Sequence, residues 1–192
     1  MAPVLNQGPI APMSAKGQRP VMGIIGWKNS GKTTLVVALV RELTARGFRV
    51  ATVKHAHHAF DIDQPGKDSY LHREAGAQDV IVSSGARWAH MHEIRNEDEP
   101  ELDDLLPRIP IETDIIIVEG FKRDAHPKIE VIPPDFEGTP LALEDDKIVA
   151  IASDSDSLPE VSVPVMGRST PIEVADFIID FLNLPASGPH AQ

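Results

Sequence analysis

Between Gly26 and Thr34 the chain reads GWKNSGKTT, and this stretch limits the fold more than any other. Gly26, Gly31, Lys32 and Thr33 satisfy the spacing G-x-x-x-x-G-K-[ST], the loop whose backbone N–H groups converge on phosphate oxygens. That spacing carries meaning only between a strand and a helix, and both are readable. VMGII before it is a short apolar run of the kind a buried strand makes. LVVALVREL after it sets Val36, Leu39, Val40 and Leu43 at i, i+3, i+4 and i+7, the stripe of a helix packed on a sheet, and Gly47 stands where such a helix is capped. A helix N-terminus adds its dipole to the loop's donors. The pattern implies a nucleoside triphosphate.

The rest of the chain repeats the alternation. Apolar runs at FRVATVKH, AQDVIVSS, ARWAHMH, IIIVEG, KIEVI, KIVAIAS and VPVM read as strands, and IIIVE, branched throughout before its acid, as one buried on both faces. Short helices are expected from Ser69 to Ala75 and from Pro171. The latter has Thr170 as N-cap, Pro171 at the first helical position, Glu173 placed for a capping box, and Val174, Phe177, Ile178, Phe181 and Leu182 as its apolar face. Strands alternating with helices define an α/β class: a single P-loop NTPase domain with a mostly parallel sheet flanked by helices. Such sheets bind ligands beyond the carboxyl ends of their strands. The domain is expected over 21–184, after a disordered extension at 1–20 and before a flexible tail at 185–192.

Composition narrows the partners. Eighteen Lys and Arg against 29 Asp and Glu give a formal charge of −11, which argues against tracking a nucleic-acid backbone or an anionic membrane. The absence of cysteine removes disulfides and thiolate metal sites. No apolar run approaches the ~20 residues that span a bilayer, and the N-terminus lacks a signal-peptide core. A soluble, cytoplasmic protein is the expectation. The acidic stretch from Glu93 to Asp104, with seven carboxylates and one arginine, reads as a solvated loop running into an exposed helix.

Within the loop, Lys32 would neutralise β/γ oxygens and Thr33 would offer its hydroxyl to Mg²⁺. Glu119, at the carboxyl end of a buried strand, stands where P-loop proteins place the second magnesium contact, and Gly120 lets backbone approach the γ-phosphate. KHAHH, Lys54 to His58, falls on the ligand side of the sheet. His55, His57 and His58 invite a zinc reading, but an extended segment does not turn all three one way, which favours polar contacts to an anion. Asp61 and Asp63 in DIDQPGKDS suit either a switch-type loop facing an ion or an acidic Asx turn. Trp88 suits stacking on a heterocycle or, more often, a core. Asp154 suits acceptance of guanine N1–H and N2–H, or a plain SDSDS surface turn; the ordinary NKxD guanine motif is absent.

Taken together, GWKNSGKTT, KHAHH, DIDQPGKDSYLHREAGA, RWAHMHE, IIIVEGFK and AIASD, in this order, resemble the molybdopterin-guanine dinucleotide biosynthesis protein B (MobB) family from about Val21 to Leu184. The phosphate loop alone is shared by a vast superfamily; KHxHH with DxDxPGKDS and VEGFK is far more specific.

The resemblance implies a GTP-binding protein of the class that includes signal-recognition and MinD-like proteins, dimeric, with weak GTPase activity. It implies work beside MobA, the guanylyltransferase that joins GMP from GTP to molybdopterin. Carried across, it assigns Gly26, Lys28, Asn29, Ser30, Gly31, Lys32, Thr33 and Thr34 to phosphates, Thr33 and Glu119 to magnesium, Asp154 to guanine, and Asp61 or Asp63 to the ion through water. Lys54, His55, His57, His58, Lys67, Ser69 and Lys122 would line the outer site, where molybdopterin is a transient ligand. No arginine finger is evident beside the loop, and Lys28 is the candidate substitute charge, reaching across a homodimer. Two rival classes remain: a small-molecule kinase, disfavoured by acid where an arginine-rich lid belongs, and a nucleotide-sensing adaptor without turnover.

Overall fold

Ile115, Ile116, Ile117 and Val118 are all fully buried, as a β-branched strand with neighbours on both sides and layers on both faces must be. The computed structural model describes residues 19–56 and 60–191. In chain order the elements are β1 (Val21–Ile25), α1 (Lys32–Ala45), β2 (Val50–Lys54), α2 (Asp68–Glu74), β3 (Asp79–Ser83), β4 (Trp88–His92), α3 (Leu102–Leu105), β5 (Ile115–Glu119), β6 (Lys128–Ile132), β7 (Ile148–Ser153), β8 (Val165–Met166) and α4 (Pro171–Phe181). They form two compact units, one ending at His55 and resuming at Pro107, the other spanning Ala56–Leu106.

The first unit is built on a six-stranded sheet in the order β2-β5-β1-β6-β7-β8, every neighbouring pair parallel. Alternation along each strand splits the sheet into two faces. Met22, Ile24, Ile115, Ile117, Ile129, Val131, Ala150 and Ala152 point to one of them, where Leu35, Leu39 and Leu43 of α1 and Val174, Ala175 and Ile178 of α4 complete the core. Each such leucine or isoleucine contributes about 1.5–3 kcal/mol by leaving water. On the other face Gly23 makes room for His126: a Cβ there would lie 2.4 Å from its ring nitrogen. The same face buries Glu130, whose two oxygens accept the backbone N–H groups of Leu141 and Ala142, each at 3.0 Å.

α1 stops at Gly47, whose φ of 87° lets Gly47 N and Phe48 N donate back to Thr44 O and Leu43 O. Residues of the expected tail run beside this end, with Gly188 N donating to Arg46 O at 2.8 Å. Thr170 and Pro171 open α4 as expected, but no capping box forms: the Thr170 hydroxyl lies within hydrogen-bond distance of Gly167 O (2.8 Å) and of the Glu173 carboxylate (2.9 Å), not of a backbone N–H. The hydroxyl thereby fastens the turn Gly167–Thr170.

In the second unit, β3 and β4 form an antiparallel hairpin pairing Asp79 with His92 and Ser83 with Trp88. A two-stranded ribbon has no further strand to cover its ends, so Trp88 is 67% exposed and the core reading of that residue is overturned. Residues 93–104 are largely exposed and lead into α3, with Leu102 buried. No helix among the described residues is long and apolar enough to cross a membrane.

Candidate functional site

The phosphate-type loop leaves β1 at Gly26, where φ is 144°. A Cβ at Gly26 would lie 2.5 Å from Val131 O and 2.8 Å from Ser30 Oγ, so only glycine lets the loop fold this closely over β6. Asn29 takes the left-handed conformation (φ 62°), and Ser30 N closes a turn onto Trp27 O at 3.2 Å. Trp27, Lys28, Asn29, Thr33 and Thr34 are exposed, and Ser30 is fully buried, its hydroxyl without a hydrogen-bond partner among the described residues. Gly31 (φ 95°) caps α1 with no side chain, which leaves the first-turn N–H groups of the helix to an external acceptor. The concave donor set suits an anion.

Lys32 folds back so that its Nζ donates to Trp27 O at 2.7 Å and Gly26 O at 3.1 Å. Its ammonium is held below the usual lysine range, first by burial and then by the charges of Lys54 and Lys122, with Glu119 opposing. A cation partly stripped of water in this way gains more from an incoming anion than one in bulk solvent.

Glu119 is the hub beneath the loop. Strand register sets Lys54 of β2 directly beside it on β5, and Ile24 of β1 on its other side. Its Oε1 accepts the Thr33 hydroxyl at 2.7 Å and the Lys54 ammonium at 2.8 Å, while Lys54 Nζ also lies 3.4 Å from Thr33 Oγ1. Lys54, expected in the outer site, therefore belongs to the inner one. A hydroxyl and a buried carboxylate converging on one point are hard oxygen donors of the kind Mg²⁺ takes.

Beyond the strand, Gly120 (φ 96°) donates to Ile24 O at 3.2 Å, and a Cβ there would press within 3.0 Å of His55 Cβ. The His55 and Phe121 rings lie 5.0 Å apart, and Lys122 Nζ sits 5.3 Å over the exposed ring of Trp27, a cation–π contact on the rim of the loop. His57 and His58 lie outside the described residues. Among the described residues no group of three or more His, Asp or Glu is placed to hold a metal.

Asp61, Asp63, Lys67 and Ser69 belong to the second unit. There Asp61 receives the Arg73 guanidinium on both oxygens (2.9 and 3.0 Å), and Asp63 receives Ser69 Oγ at 2.9 Å and Arg73 Nε at 3.3 Å. Both carboxylates are thus engaged within their own unit, sharing the one Arg73 guanidinium. Lys67 is exposed at the start of α2.

Asp154 follows β7 at its carboxyl end. Its Oδ1 accepts Ser169 N at 3.0 Å and its Oδ2 accepts Ser169 Oγ at 2.6 Å, with Arg168 Nε 3.5 Å away. The Ser169 hydroxyl and N–H, with Arg168 behind them, hold the carboxyl below its usual range. Arg168 also donates from Nη1 to Ser30 O at 3.1 Å, which puts an arginine against the phosphate-type loop where the sequence suggested none. The available signal was its place in GRST, at the carboxyl end of the last parallel strand and just ahead of a helix cap.

A parallel sheet whose first strand runs through G-x-x-x-x-G-K-T into a helix, with an acid at the end of the adjacent strand, defines a protein of the P-loop NTPase fold class. The model of the family described as molybdopterin guanine dinucleotide synthesis protein B (MobB) matches residues 21–154. The chain belongs to the MobB family. It is 37% identical over 172 residues to the molybdopterin-guanine dinucleotide biosynthesis adapter protein of Escherichia coli K12, covering 88% of this chain and 97% of that protein. It is 36% identical over 167 residues to the Haemophilus influenzae protein of the same name, covering 86% and 91%. A crystal structure of molybdopterin-guanine biosynthesis protein B superposes with a TM-score of 0.64 at 27% identity, covering 85% of this chain and 99% of the other.

Proposed function

We propose that this chain is a GTP-binding accessory protein in maturation of the molybdenum cofactor, acting in the cytoplasm as a homodimer beside a MobA-type guanylyltransferase; the names of its relatives, molybdopterin-guanine dinucleotide biosynthesis adapter proteins, support the pathway. The observation that carries the reading is the convergence of Lys32, Thr33 and Glu119 beneath one glycine-built loop. In this reading the loop N–H groups and Lys32 take the phosphates. Thr33 and Glu119 would hold Mg²⁺, which would supply positive charge to offset that of the phosphates. Lys54 then shares Glu119 with the ion or yields it. Asp61 and Asp63 would have to give up Arg73 to reach an ion, which makes them the costlier contributors.

Guanine recognition by Asp154 fits less simply. Both of its oxygens are already engaged, so it must share lone pairs or part from Ser169 to receive a base. His55 and Lys122 sit at the rim, where a pterin phosphate would meet them. Lys28, exposed on the loop, is free to serve a neighbouring protomer and speed a weak GTP hydrolysis.

The experiment is reconstitution: formation of the guanine dinucleotide cofactor from molybdopterin and GTP by the guanylyltransferase, with and without this protein. The wild type should raise the rate and Lys32→Ala should not; equal rates in all three mixtures contradict the proposal. Phosphate release measured against GTP binding in the same samples separates a weak GTPase from an adaptor that binds without turnover, the reading that agrees with the relatives' name of adapter.

A further inference from the structure

We propose that Arg168 is a positioning residue that ties the phosphate loop to the Asp154 turn, so that a change at Asp154 is transmitted to phosphate binding. The guanidinium spans two elements far apart in sequence. Nη1 donates to Ser30 O at 3.1 Å, and Nε faces Asp154 Oδ2 at 3.5 Å. Gly31 provides the room, since a Cβ there would lie 3.2 Å from Arg168 Nη1. The far end is fixed as well: Asp154 is clasped by Ser169 through N–H and hydroxyl, and the Thr170 hydroxyl holds Gly167 O at 2.8 Å.

The geometry gives the tie a chemical consequence. A trans peptide sets its C=O and N–H in opposite directions. With Ser30 O held by Arg168, the N–H of Gly31 is aimed away from Arg168, and the cation on the carbonyl polarises that peptide and strengthens its N–H as a donor. Ser30 is fully buried, which shields this carbonyl from water as a replacement donor for Arg168. Asp154 enters as the anchor that keeps the guanidinium in place.

The inference rests on the reading of Gly26–Thr33 as a phosphate site, and the test separates the two. The probe is inorganic tripolyphosphate with Mg²⁺, which has no base, titrated calorimetrically into the wild type, Arg168→Ala, Arg168→Lys, Asp154→Asn, the Arg168→Ala/Asp154→Asn double variant and Lys32→Ala. Loss of one charge-assisted hydrogen bond predicts roughly tenfold weaker binding for Arg168→Ala. Asp154→Asn should weaken binding several-fold. This is the informative sign, because removing a negative charge near an anion site would by field alone strengthen binding. The double variant should match Arg168→Ala, the non-additivity expected of a shared path. Arg168→Lys should not restore wild-type affinity, since one ammonium does not span both partners.

Unchanged or tighter binding in Asp154→Asn, full rescue by Arg168→Lys, or multiplied effects in the double variant would each overturn the tie while leaving the phosphate site standing, provided Lys32→Ala still binds poorly. If Lys32→Ala binds as well as wild type, the phosphate reading falls and takes the tie with it. Urea midpoints of the variants show whether any has lost its fold, and Asp154→Asn, isosteric at an exposed position, keeps the test open if Arg168→Ala does not fold.

Discussion

Lys54 Nζ lies 2.8 Å from Glu119 Oε1, the oxygen that also accepts the Thr33 hydroxyl at 2.7 Å. One carboxylate oxygen thus serves a lysine of β2 and a threonine of the phosphate-type loop, because parallel register brings Lys54 and Glu119 side by side. A divalent ion held by Thr33 and Glu119 would compete with the ammonium for this carboxylate.

Competition of this kind is measurable. Lys54→Met should lower the Mg²⁺ concentration at half-saturation of nucleotide binding. A half-exposed ion pair is worth about 0.5–1 kcal/mol, which corresponds to roughly 2–5-fold. An unchanged magnesium dependence would show that Lys54 and the ion do not meet at Glu119.

Gly26→Ala places a Cβ 2.5 Å from Val131 O in a backbone with φ of 144°. The strain should cost about 1–3 kcal/mol, read as a lower urea midpoint. A midpoint equal to wild type would mean that the loop does not need glycine there.

Glu130 is buried with two backbone N–H groups on its carboxylate, and burial pushes its carboxyl up while those bonds pull it back. Glu130→Gln supplies one acceptor oxygen for two donors and turns an NH₂ toward the other. Destabilisation of about 1–3 kcal/mol follows, measured by urea unfolding at neutral pH. Stabilisation by this variant would show that the desolvation cost outweighs both bonds.

In the second unit the His92 imidazole is held above its ordinary range, first by its hydrogen bond to Asp79 and then by Glu97. The folded chain therefore keeps this proton longer than the unfolded chain. The contribution to stability is complete below the unfolded value of about 6.5 and is lost as pH rises through the higher folded one. An NMR titration should find His92 titrating above that value in the wild type and at a lower pH in Asp79→Asn. Identical curves would contradict the assignment.

The loop, its strand and its helix were legible because every signal in them is local: glycines at fixed offsets, a four-residue apolar stripe, a strand five residues long. The buried strand ending in Glu119 was legible for the same reason. The inner role of Lys54 was not, since it depends on β2 lying beside β5, an adjacency no neighbouring residue announces. Arg168 was hidden more deeply: its partners are 138 and 14 positions away, and its reach depends on Gly31 lacking a side chain. Trp88 shows the converse, an aromatic in a strand-like run that looks like core and stays exposed because its sheet has only two strands.

The most direct test of the account is calorimetric titration of the purified chain with MgGTP and MgATP, repeated with Lys32→Ala. Saturable GTP binding, weaker ATP binding, and loss of at least tenfold in GTP affinity when the ammonium on the Gly26 and Trp27 carbonyls is removed are the expected results. Lys32→Ala binding GTP as tightly as wild type, or no saturable binding of either nucleotide, would contradict the account.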